Sequence, residues 1–147
     1  MGGTVLKIYW GNAASVTIPE GVTSIEASTF WRCRNLTSII VDTQNPVYSS
    51  VEGILFNKDI TALIKYPAGR QEKNYTYNIP TGVISIGECA FLGCRALANI
   101  IIPSNVASIG AKAFYGCPNL ETITLSRNTK LGYKALEGFS GKLIYRD

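Results

Sequence analysis

The sequence contains no histidine, and this absence excludes several classes of enzyme. Without an imidazole there is no Ser-His or Cys-His catalytic pair, no histidine general acid or base, and no histidine-ligated metal. Carboxylates close in sequence, such as Asp42 and Glu52, have no glycine-rich phosphate loop or metal-ligand spacing beside them. We therefore expect a protein that is not an enzyme and that uses no cofactor or metal.

Charged residues are also few. They make up 16% of the 147 residues, while the hydrophobic share of 46% is ordinary, and this balance argues against intrinsic disorder. The net charge of +4 is mild, and acidic residues interrupt the basic ones. We therefore do not expect nucleic acid as a partner.

Long apolar runs are missing as well. No run approaches the roughly 18 residues that a membrane-spanning helix needs, so we expect no membrane insertion. Residues 1–7 lack the basic segment, the apolar core and the cleavage site of a signal peptide. Either the protein is cytoplasmic or an export signal is absent from this form.

What the sequence does contain is an internal repeat. Segments 24–36, 85–97 and 108–120 share a Ser-Ile pair followed by an aromatic residue, a cysteine and a leucine. Phe91 and Phe114 hold equivalent positions in consecutive copies, which gives a period of about 23 residues. The first copy precedes the second by more than two periods, so one turn carries about fifteen extra residues. This pattern predicts a solenoid, whose units bury their apolar faces against neighbouring units.

Each turn begins with a predicted strand. In 97–102 the apolar residues Leu97, Ile100 and Ile102 face inward, and Pro103 ends the strand because it supplies no hydrogen-bond donor. We expect a tight corner with positive φ at Asn105, because Gly and Asn tolerate that conformation. The equivalent positions in the other turns are Gly21, Gly82 and Asn128.

A short helix is predicted after the corner. Ile109, Ala113 and Cys117 recur at helical spacing, with Leu120 continuing the stripe and Phe114 at its edge. Two glycines bracket the segment. The pattern predicts a helix of about two turns on the side of the solenoid away from the strands.

The longest turn, 41–79, contains additional elements. Residues 53–56 and 60–66 read as strands joined by the polar turn 57–59, which predicts an inserted β-hairpin that protrudes from the solenoid. Residues 68–74 are polar and predict a mobile connection back to the ladder.

The two ends differ from the central turns. Residues 1–18 predict an N-terminal hairpin cap that turns at Gly11-Asn12. Residues 131–147 predict a degenerate C-terminal turn, in which Leu136 takes the Phe position and Phe139 takes the Cys position. Together these features predict one domain over residues 1–147. Its fold class is α/β: a right-handed solenoid of about five turns of about 23 residues, with one long turn that carries the inserted β-hairpin. The strand pattern Leu97-x-x-Ile100-x-Ile102-x-x-Asn105 resembles the leucine-rich repeat signature, which implies a leucine-rich-repeat solenoid.

The repeat resembles the BspA-like leucine-rich repeats of bacterial surface proteins. The phrase Ile79-Pro-x-Gly-Val-x-Ser-Ile-Gly-x-x-Ala-Phe-x-x-Cys-x-x-Leu97 carries the likeness. The long turn shares the family's inserted series, here Asn45-Pro-Val-Tyr48, Glu52-Gly-Ile-Leu-Phe56 and Leu63-Ile-Lys-Tyr-Pro67. The resemblance covers about residues 14–139.

This resemblance implies a non-enzymatic protein-binding module of the adhesin type, at the cell surface or secreted. Its partner would be a protein, such as a host matrix or surface protein. The alternative is a structural module whose open solenoid ends associate with other copies. A cytoplasmic location also stays open.

The outer face of the predicted strands is the candidate binding surface. Ile40 and Ile101 are apolar residues in an otherwise polar field, which either marks a binding hot spot or reflects the preference of β-branched residues for strands. The residues of this face are Ser38, Ile40, Asn99, Ile101, Thr122 and Thr124. The inserted hairpin is a further candidate.

Three cysteines share one repeat position. We expect Cys33, Cys94 and Cys117 to form a buried apolar column, in preference to a disulfide between the last two. A zinc site is disfavoured, because no histidine is available and Cys89 and Cys94 would face opposite ways. Cys89 occupies an outward position and is expected to be the exposed, reactive thiol.

Two further repeat positions carry residues of interest. Arg34 and Arg95 are equivalent, and a solvated charged face is favoured over an anion-binding ridge. Trp31, Leu92 and Tyr115 are also equivalent. Packing along the helix row is favoured for them over a platform for a ligand.

Overall fold

The computed structural model describes residues 3–6, 9 and 11–146. In this part the chain forms fourteen short strands and winds through about six turns of about 23 residues. The strands are β1 (Thr4–Leu6), β2 (Ser15–Ile18), β3 (Val22–Ile25), β4 (Ser38–Val41), β5 (Tyr48–Val51), β6 (Ile54–Asn57), β7 (Ala62–Lys65), β8 (Thr76–Asn78), β9 (Ser85–Ile86), β10 (Asn99–Ile101), β11 (Ser108–Ile109), β12 (Thr122–Leu125), β13 (Lys130–Leu131) and β14 (Lys142–Tyr145).

The first strands of the later turns stack into a four-stranded parallel sheet, in the order β14-β12-β10-β8. Asn99 pairs with Thr76 on one side and with Thr122 on the other, so neighbouring strands are one repeat apart in sequence. The period and the leucine-rich-repeat solenoid predicted from sequence are confirmed.

A second sheet contains six strands in the order β13-β11-β9-β7-β6-β5. The strands β7, β9, β11 and β13 run parallel to one another, whereas β6 is antiparallel to both of its neighbours, β5 and β7. The C-terminal turn keeps the register of the repeat, since Leu131 pairs with Ile109 of the preceding turn. Leu136 and Phe139 of that turn pack against the core.

The N-terminal hairpin predicted for residues 1–18 is wrong in the described residues. β1 pairs with β3 and β2 pairs with β4, in both cases in parallel, so β1 and β2 belong to different sheets. The ring of Tyr9 lies 5.8 Å from the ring of Phe30, in the manner of a repeat aromatic stacked on the next turn. The segment is therefore a solenoid turn, which raises the count from about five to about six. Residues 1, 2, 7, 8 and 10 of the predicted hairpin lie outside the described residues.

The helix predicted for each turn is also wrong. The one helix in the described residues is a 3₁₀ turn at Lys73–Tyr75. In the turn that contains Phe91, where a helix was predicted, φ is positive at Cys89 (59°) and at Gly93 (76°). A helix requires negative φ throughout. The same conformation recurs in the next two turns at Lys112, Gly116, Lys134 and Gly138.

Hydrogen bonds between turns replace those of a helix. Alternate amides of this segment donate to carbonyl groups of the next turn at 2.8 to 3.0 Å, in the pairs Cys89–Ala111, Phe91–Ala113 and Gly93–Tyr115. Because the intervening amides bond within their own turn, the backbone is saturated without an α-helix. The helical spacing of Ile109, Ala113 and Cys117 therefore reflects stacked tight turns.

The corners occur where they were predicted but without positive φ. The Val106 amide donates to the Pro103 carbonyl at 3.1 Å, which closes a tight turn around Asn105. The side-chain amide of Asn105 donates to the Thr81 carbonyl of the preceding turn at 2.9 Å. Asn is thus used here for its side-chain donor, and the predicted positive φ at the corners is wrong.

The predicted hairpin is present, as β6 and β7, but it does not protrude. Its side chains Ile54, Leu55, Phe56 and Leu63 are fully buried. A third strand, β5, was missed, and it turns into β6 through Glu52-Gly53. Both residues have positive φ, as in the two-residue turns that suit hairpins. The hairpin thus contributes to the core, and the expectation that it protrudes is wrong.

Strand β6 separates two hydrophobic clusters. Ile54 and Phe56 pack into the C-terminal cluster with Phe91 and Phe114, whereas Leu55 packs into the N-terminal cluster. Alternate residues of a strand point to opposite faces, so one strand closes both cores. The other buried members of the N-terminal cluster are Ile18, Val22, Phe30, Cys33, Leu36, Ile39, Val41 and Tyr48.

The connection after the hairpin is anchored to its surroundings. Tyr66 enters the aromatic column, with its ring 5.1 Å from that of Phe91, which in turn stacks 5.0 Å from Phe114. The Tyr66 hydroxyl donates to Glu72 at 2.9 Å, and Arg70 binds the same carboxylate. Burial raises the pKa of Tyr66 well above its usual range, and the Glu72 charge adds to this effect.

Candidate functional site

Outward side chains of β8, β10 and β12 form a polar ladder. The amide of Asn99 donates to the Thr76 hydroxyl at 3.3 Å, and the Thr122 hydroxyl donates to the Asn99 side-chain carbonyl at 2.7 Å. All three side chains are half-buried. Asn99 and Thr122 were predicted as site residues, and they are in direct contact. Thr76 was missed, although its position one repeat before Asn99 was a signal for it.

The second outward row of the same strands is less accessible. Ile101 lies between Asn78 and Thr124 and is half-buried. Thr124 was predicted to be part of the binding face, but only 4% of it is exposed. It is paired on one side with Ile101 and on the other with Ile144, and these two larger side chains flank it. Thr124 is therefore not a contact residue.

Ser38 and Ile40 lie in a different sheet from the other predicted site residues. They belong to β4, whose paired strand is β2. The other edge of β4 is covered by the β5–β6 hairpin, through bonds from the Ile39 amide to the Gly53 carbonyl (2.8 Å) and from the Val41 amide to the Ser50 hydroxyl (2.9 Å). The face thus has two parts: an N-terminal patch on β4 and a C-terminal patch on β8, β10 and β12.

A groove occurs on the turn segments, away from both patches. It has a volume of about 1120 Å³, and we call it the turn groove. Trp31, Leu92 and Tyr115 line it, and 49% of Trp31 and 44% of Tyr115 is exposed. Packing along a helix row was expected for these residues, but the described segments that carry them form turns and no helix. Ala68 lines the groove between the turns of Trp31 and Leu92, and it is a small residue that sequence reasoning did not single out.

Each repeat cysteine donates a hydrogen bond to a carbonyl group of an aromatic residue in the preceding turn. The acceptors are Tyr9 for Cys33 (3.4 Å), Tyr66 for Cys94 (3.8 Å) and Phe91 for Cys117 (3.0 Å). Cys33 and Cys94 are buried, Cys117 is half-buried, and all four cysteines of the chain are free thiols. The predicted column is confirmed in position, and the thiols have a structural role.

The prediction that Cys89 is an exposed thiol is wrong. Cys89 is buried, because the positive-φ turn removes the helical frame that placed it outward. Burial raises the pKa of its thiol, and the charge of Glu88 adds to this effect. Its carbonyl group accepts a hydrogen bond from the buried Nζ of Lys65 at 3.1 Å. Burial lowers the pKa of Lys65, and nearby thiols oppose the shift.

The described residues provide no constellation for metal or membrane chemistry. Within residues 3–6, 9 and 11–146, no cluster of three or more acidic or cysteine side chains is placed to hold a metal ion. In the same part of the chain, no helix has both the length and the apolar character needed to cross a bilayer. The arrangement offers surfaces for binding.

Known proteins resemble this chain in sequence and in fold. The family model for the BspA type leucine rich repeat region matches residues 9–76 and 70–141, with six copies of the repeat. A search of curated protein sequences found no match.

Three solved structures have the same fold. A leucine-rich repeat protein from Eubacterium ventriosum is 30% identical, with a TM-score of 0.78 and coverage of 86% of this chain and 35% of its own. A leucine rich cell surface protein from Faecalibacterium prausnitzii is 33% identical, with a TM-score of 0.71 and coverage of 80% and 31%. The pneumococcal vaccine antigen PcpA is 19% identical, with a TM-score of 0.65 and coverage of 82% and 42%.

The chain spans between 31% and 42% of the length of these three proteins. Two of them are bacterial leucine-rich repeat proteins with identities of 30% or more over at least 80% of this chain. Together with the family match over most of the sequence, they show that this chain belongs to the BspA-type leucine-rich repeat family.

Proposed function

We propose that the chain is a non-enzymatic protein-binding module of the adhesin type, which recognises a host matrix or surface protein through its strand face. The observation that carries this proposal is the pair of outward patches on a hydrogen-bonded framework. In them, apolar Ile40 and Ile101 stand among the short polar side chains of Ser38, Asn99 and Thr122. Leucine-rich repeat proteins generally bind other proteins, which supports the same conclusion.

The C-terminal patch is organised before any partner arrives. The bonds that join Thr76, Asn99 and Thr122 restrict the rotation of these side chains. A partner that contacts the ladder therefore loses little side-chain entropy, which is one of the main costs of forming an interface. This rigidity favours recognition of a folded protein surface.

The N-terminal patch supplies apolar area. Ile40 is 47% exposed on β4, and Thr17 of β2 lies beside it as its paired residue. A half-exposed β-branched side chain in a polar surround is the kind of anchor that fills a pocket on a partner.

A surface or secreted location fits this function. One structural relative is named as a leucine rich cell surface protein and another as a pneumococcal vaccine antigen. The family is typically non-enzymatic, and the described residues hold no group of three or more side chains placed to bind a metal ion.

Self-association is the second candidate function. Leu131, Tyr133 and Tyr145 are exposed in the last turn, where β13 and β14 are the outermost strands of their sheets. Apolar side chains beside an unpaired strand edge favour pairing with another copy. Light scattering over a range of protein concentrations tests this alternative, which requires a mass that rises with concentration.

A binding screen with matched variants tests the proposed function. The purified chain is titrated onto immobilised collagen, laminin, fibronectin and fibrinogen, beside the Ile40→Lys, Ile101→Lys variant. The matched control is Ile84→Lys, since Ile84 is also about half exposed, at 52%, but lies outside both patches. Binding that the double variant loses and the control keeps supports the strand face. Equal binding by the wild type, the double variant and the control would contradict it. So would a failure of the wild type to bind any of the four matrix proteins.

A further inference from the structure

The turn groove is the part of the surface that the proposed function does not use. Its rim carries the arginines Arg32, Arg34 and Arg95, and none of the three takes part in a salt bridge with the residues that the structure describes. The remaining cation, Lys134, lies 3.6 Å from the carboxylate of Glu137. The groove therefore has an excess of unneutralised guanidinium groups.

These guanidinium groups lie beside exposed aromatic rings. The guanidinium of Arg32 sits 4.8 Å from the centre of the Trp31 ring. The Arg95 guanidinium donates to the backbone carbonyl of Arg34 at 3.3 Å, which joins two arginines from separate turns, and the small Ala68 lines the same groove. Tyr115 supplies a second exposed ring. Exposed rings and guanidinium groups therefore line one groove.

The backbone beneath the groove is already occupied. The Gly93 amide donates to the Tyr115 carbonyl at 2.9 Å, and the Leu92 amide donates to the Cys89 carbonyl at 3.2 Å. None of the groove-lining residues belongs to a strand, so an extended peptide finds no strand edge to extend here. Recognition at this groove therefore depends on ring faces and guanidinium groups.

We propose that the turn groove binds a linear polysaccharide that carries sulfate or carboxylate groups. The apolar face of a sugar ring stacks on Trp31 or Tyr115, and the acidic substituents accept paired hydrogen bonds from Arg34 and Arg95. A single-stranded nucleic acid needs a longer run of stacking rings and a continuous basic track. Here aliphatic Leu92 lies between the two rings in the repeat column, so the groove suits a polysaccharide better.

Titration with defined probes tests this site. Heparin, hyaluronan and dextran oligosaccharides and an oligo-dT strand are each titrated into the chain by calorimetry at physiological salt. Binding of heparin alone identifies sulfate as the recognised group, whereas binding of hyaluronan shows that a carboxylate suffices. Dextran, which is neutral, is expected not to bind.

The variants separate the groove from general charge effects. Arg34→Gln with Arg95→Gln is expected to weaken the bound anionic saccharide at least roughly tenfold, because two charge-assisted contacts are lost. Trp31→Ala is expected to weaken it by roughly fivefold or more through the loss of apolar contact. The control, Lys130→Gln with Lys142→Gln, removes the same charge from exposed residues outside the groove and is expected to change affinity less than about twofold. Ile40→Lys is also expected to keep saccharide binding. The saccharide proposal and the proposal for protein binding at the strand face can therefore be rejected separately.

Three results would overturn the proposal. The first is the absence of binding to both anionic saccharides. The second is an equal loss of affinity in the groove and control variants, which would reduce the effect to net charge. The third is tighter binding of oligo-dT with the same dependence on Trp31 and the arginines, which would assign the groove to nucleic acid.

Discussion

The side-chain amide of Asn45 donates a hydrogen bond of 2.8 Å to the carbonyl group of Val22, one turn earlier in the solenoid. The same amide also bonds the Pro19 carbonyl, and its oxygen accepts the amides of Val47 and Tyr48 at 2.9 Å each. Asn45 is fully buried, so these four bonds fasten the start of the insertion to the preceding turn.

Asn45→Ala is expected to lower the free energy of unfolding by about 2 to 4 kcal/mol, because buried carbonyl and amide groups lose their partner. Urea denaturation followed by circular dichroism measures the change. Asn128→Ala is the control, since Asn128 is exposed, and its expected cost is below about 0.5 kcal/mol. Equal costs for the two variants would show that the Asn45 network does not contribute to stability.

The position of β6 between the two clusters predicts opposite regional effects for adjacent residues. Leu55→Ala is expected to cost about 2 to 5 kcal/mol and Phe56→Ala about 3 to 5 kcal/mol, since both side chains are fully buried. Hydrogen exchange read by mass spectrometry should accelerate mainly in β2 and β4 for Leu55→Ala. For Phe56→Ala it should accelerate mainly in β10 and β12. The same exchange pattern in both variants would mean that the two clusters form one cooperative core.

The reactivity of the thiols distinguishes the observed stacked turns from the helix predicted from sequence. The neighbouring Cys94 thiol, which can donate to a Cys117 thiolate, lowers the pKa of Cys117, and Cys117 is the most exposed of the four cysteines. Iodoacetamide added to the native protein is therefore expected to modify Cys117 first, as read by peptide mass spectrometry. Modification of Cys89 ahead of Cys117 would support the outward position that a helix predicts.

The buried Lys65 predicts a specific dependence of stability on pH. Burial lowers its pKa in the folded state, so between that pKa and the ordinary value of 10.5 the unfolded chain binds more protons. The contribution of Lys65 to stability therefore rises with pH across this window and is least favourable below it. Lys65→Met is expected to be at least as stable as the wild type at about pH 6, because the cost of burying an ammonium group disappears.

The comparison is made as a difference between the two proteins, which removes the effects of other groups that titrate in both. Urea midpoints at about pH 6 and about pH 9 are expected to show the advantage of Lys65→Met shrinking as pH rises. The Cys89 carbonyl keeps the Leu92 amide as a donor in the variant. An advantage that grows with pH would contradict the effect of burial on the pKa of Lys65.

The repeat register could be predicted from sequence because each inward residue recurs at one spacing. Phe91 and Phe114 are one repeat apart in sequence, and their rings stack 5.0 Å apart. The turn conformation could not be predicted in this way. A cysteine or lysine at positive φ, as at Cys89 and Lys112, has no signal in residue type, and the spacing of stacked turns imitates a helical stripe.

The candidate site was predicted in part. The repeat predicted correctly that Asn99 and Thr122 are neighbours. The prediction placed all the strands in one sheet, whereas Ile40 lies in a different sheet from Asn99 and Thr122. The run Ile54-Leu-Phe56 carried the signal for that separation. Three consecutive apolar residues are typical of a strand buried on both faces, whereas a protruding hairpin would alternate. The covered edge of β4 follows from that buried strand.

The most direct test of the proposed function is a footprint of the bound complex. Carbene labelling of the chain, with and without the matrix protein that it captures, measures the exposure of each labelled segment. The proposal predicts reduced labelling at Ile40 and over Asn99–Ile101, with unchanged labelling at Ile84 and Trp31. Protection confined to Trp31 and Tyr115, or to the last turn around Tyr133, would place the protein-binding surface elsewhere and contradict the strand face.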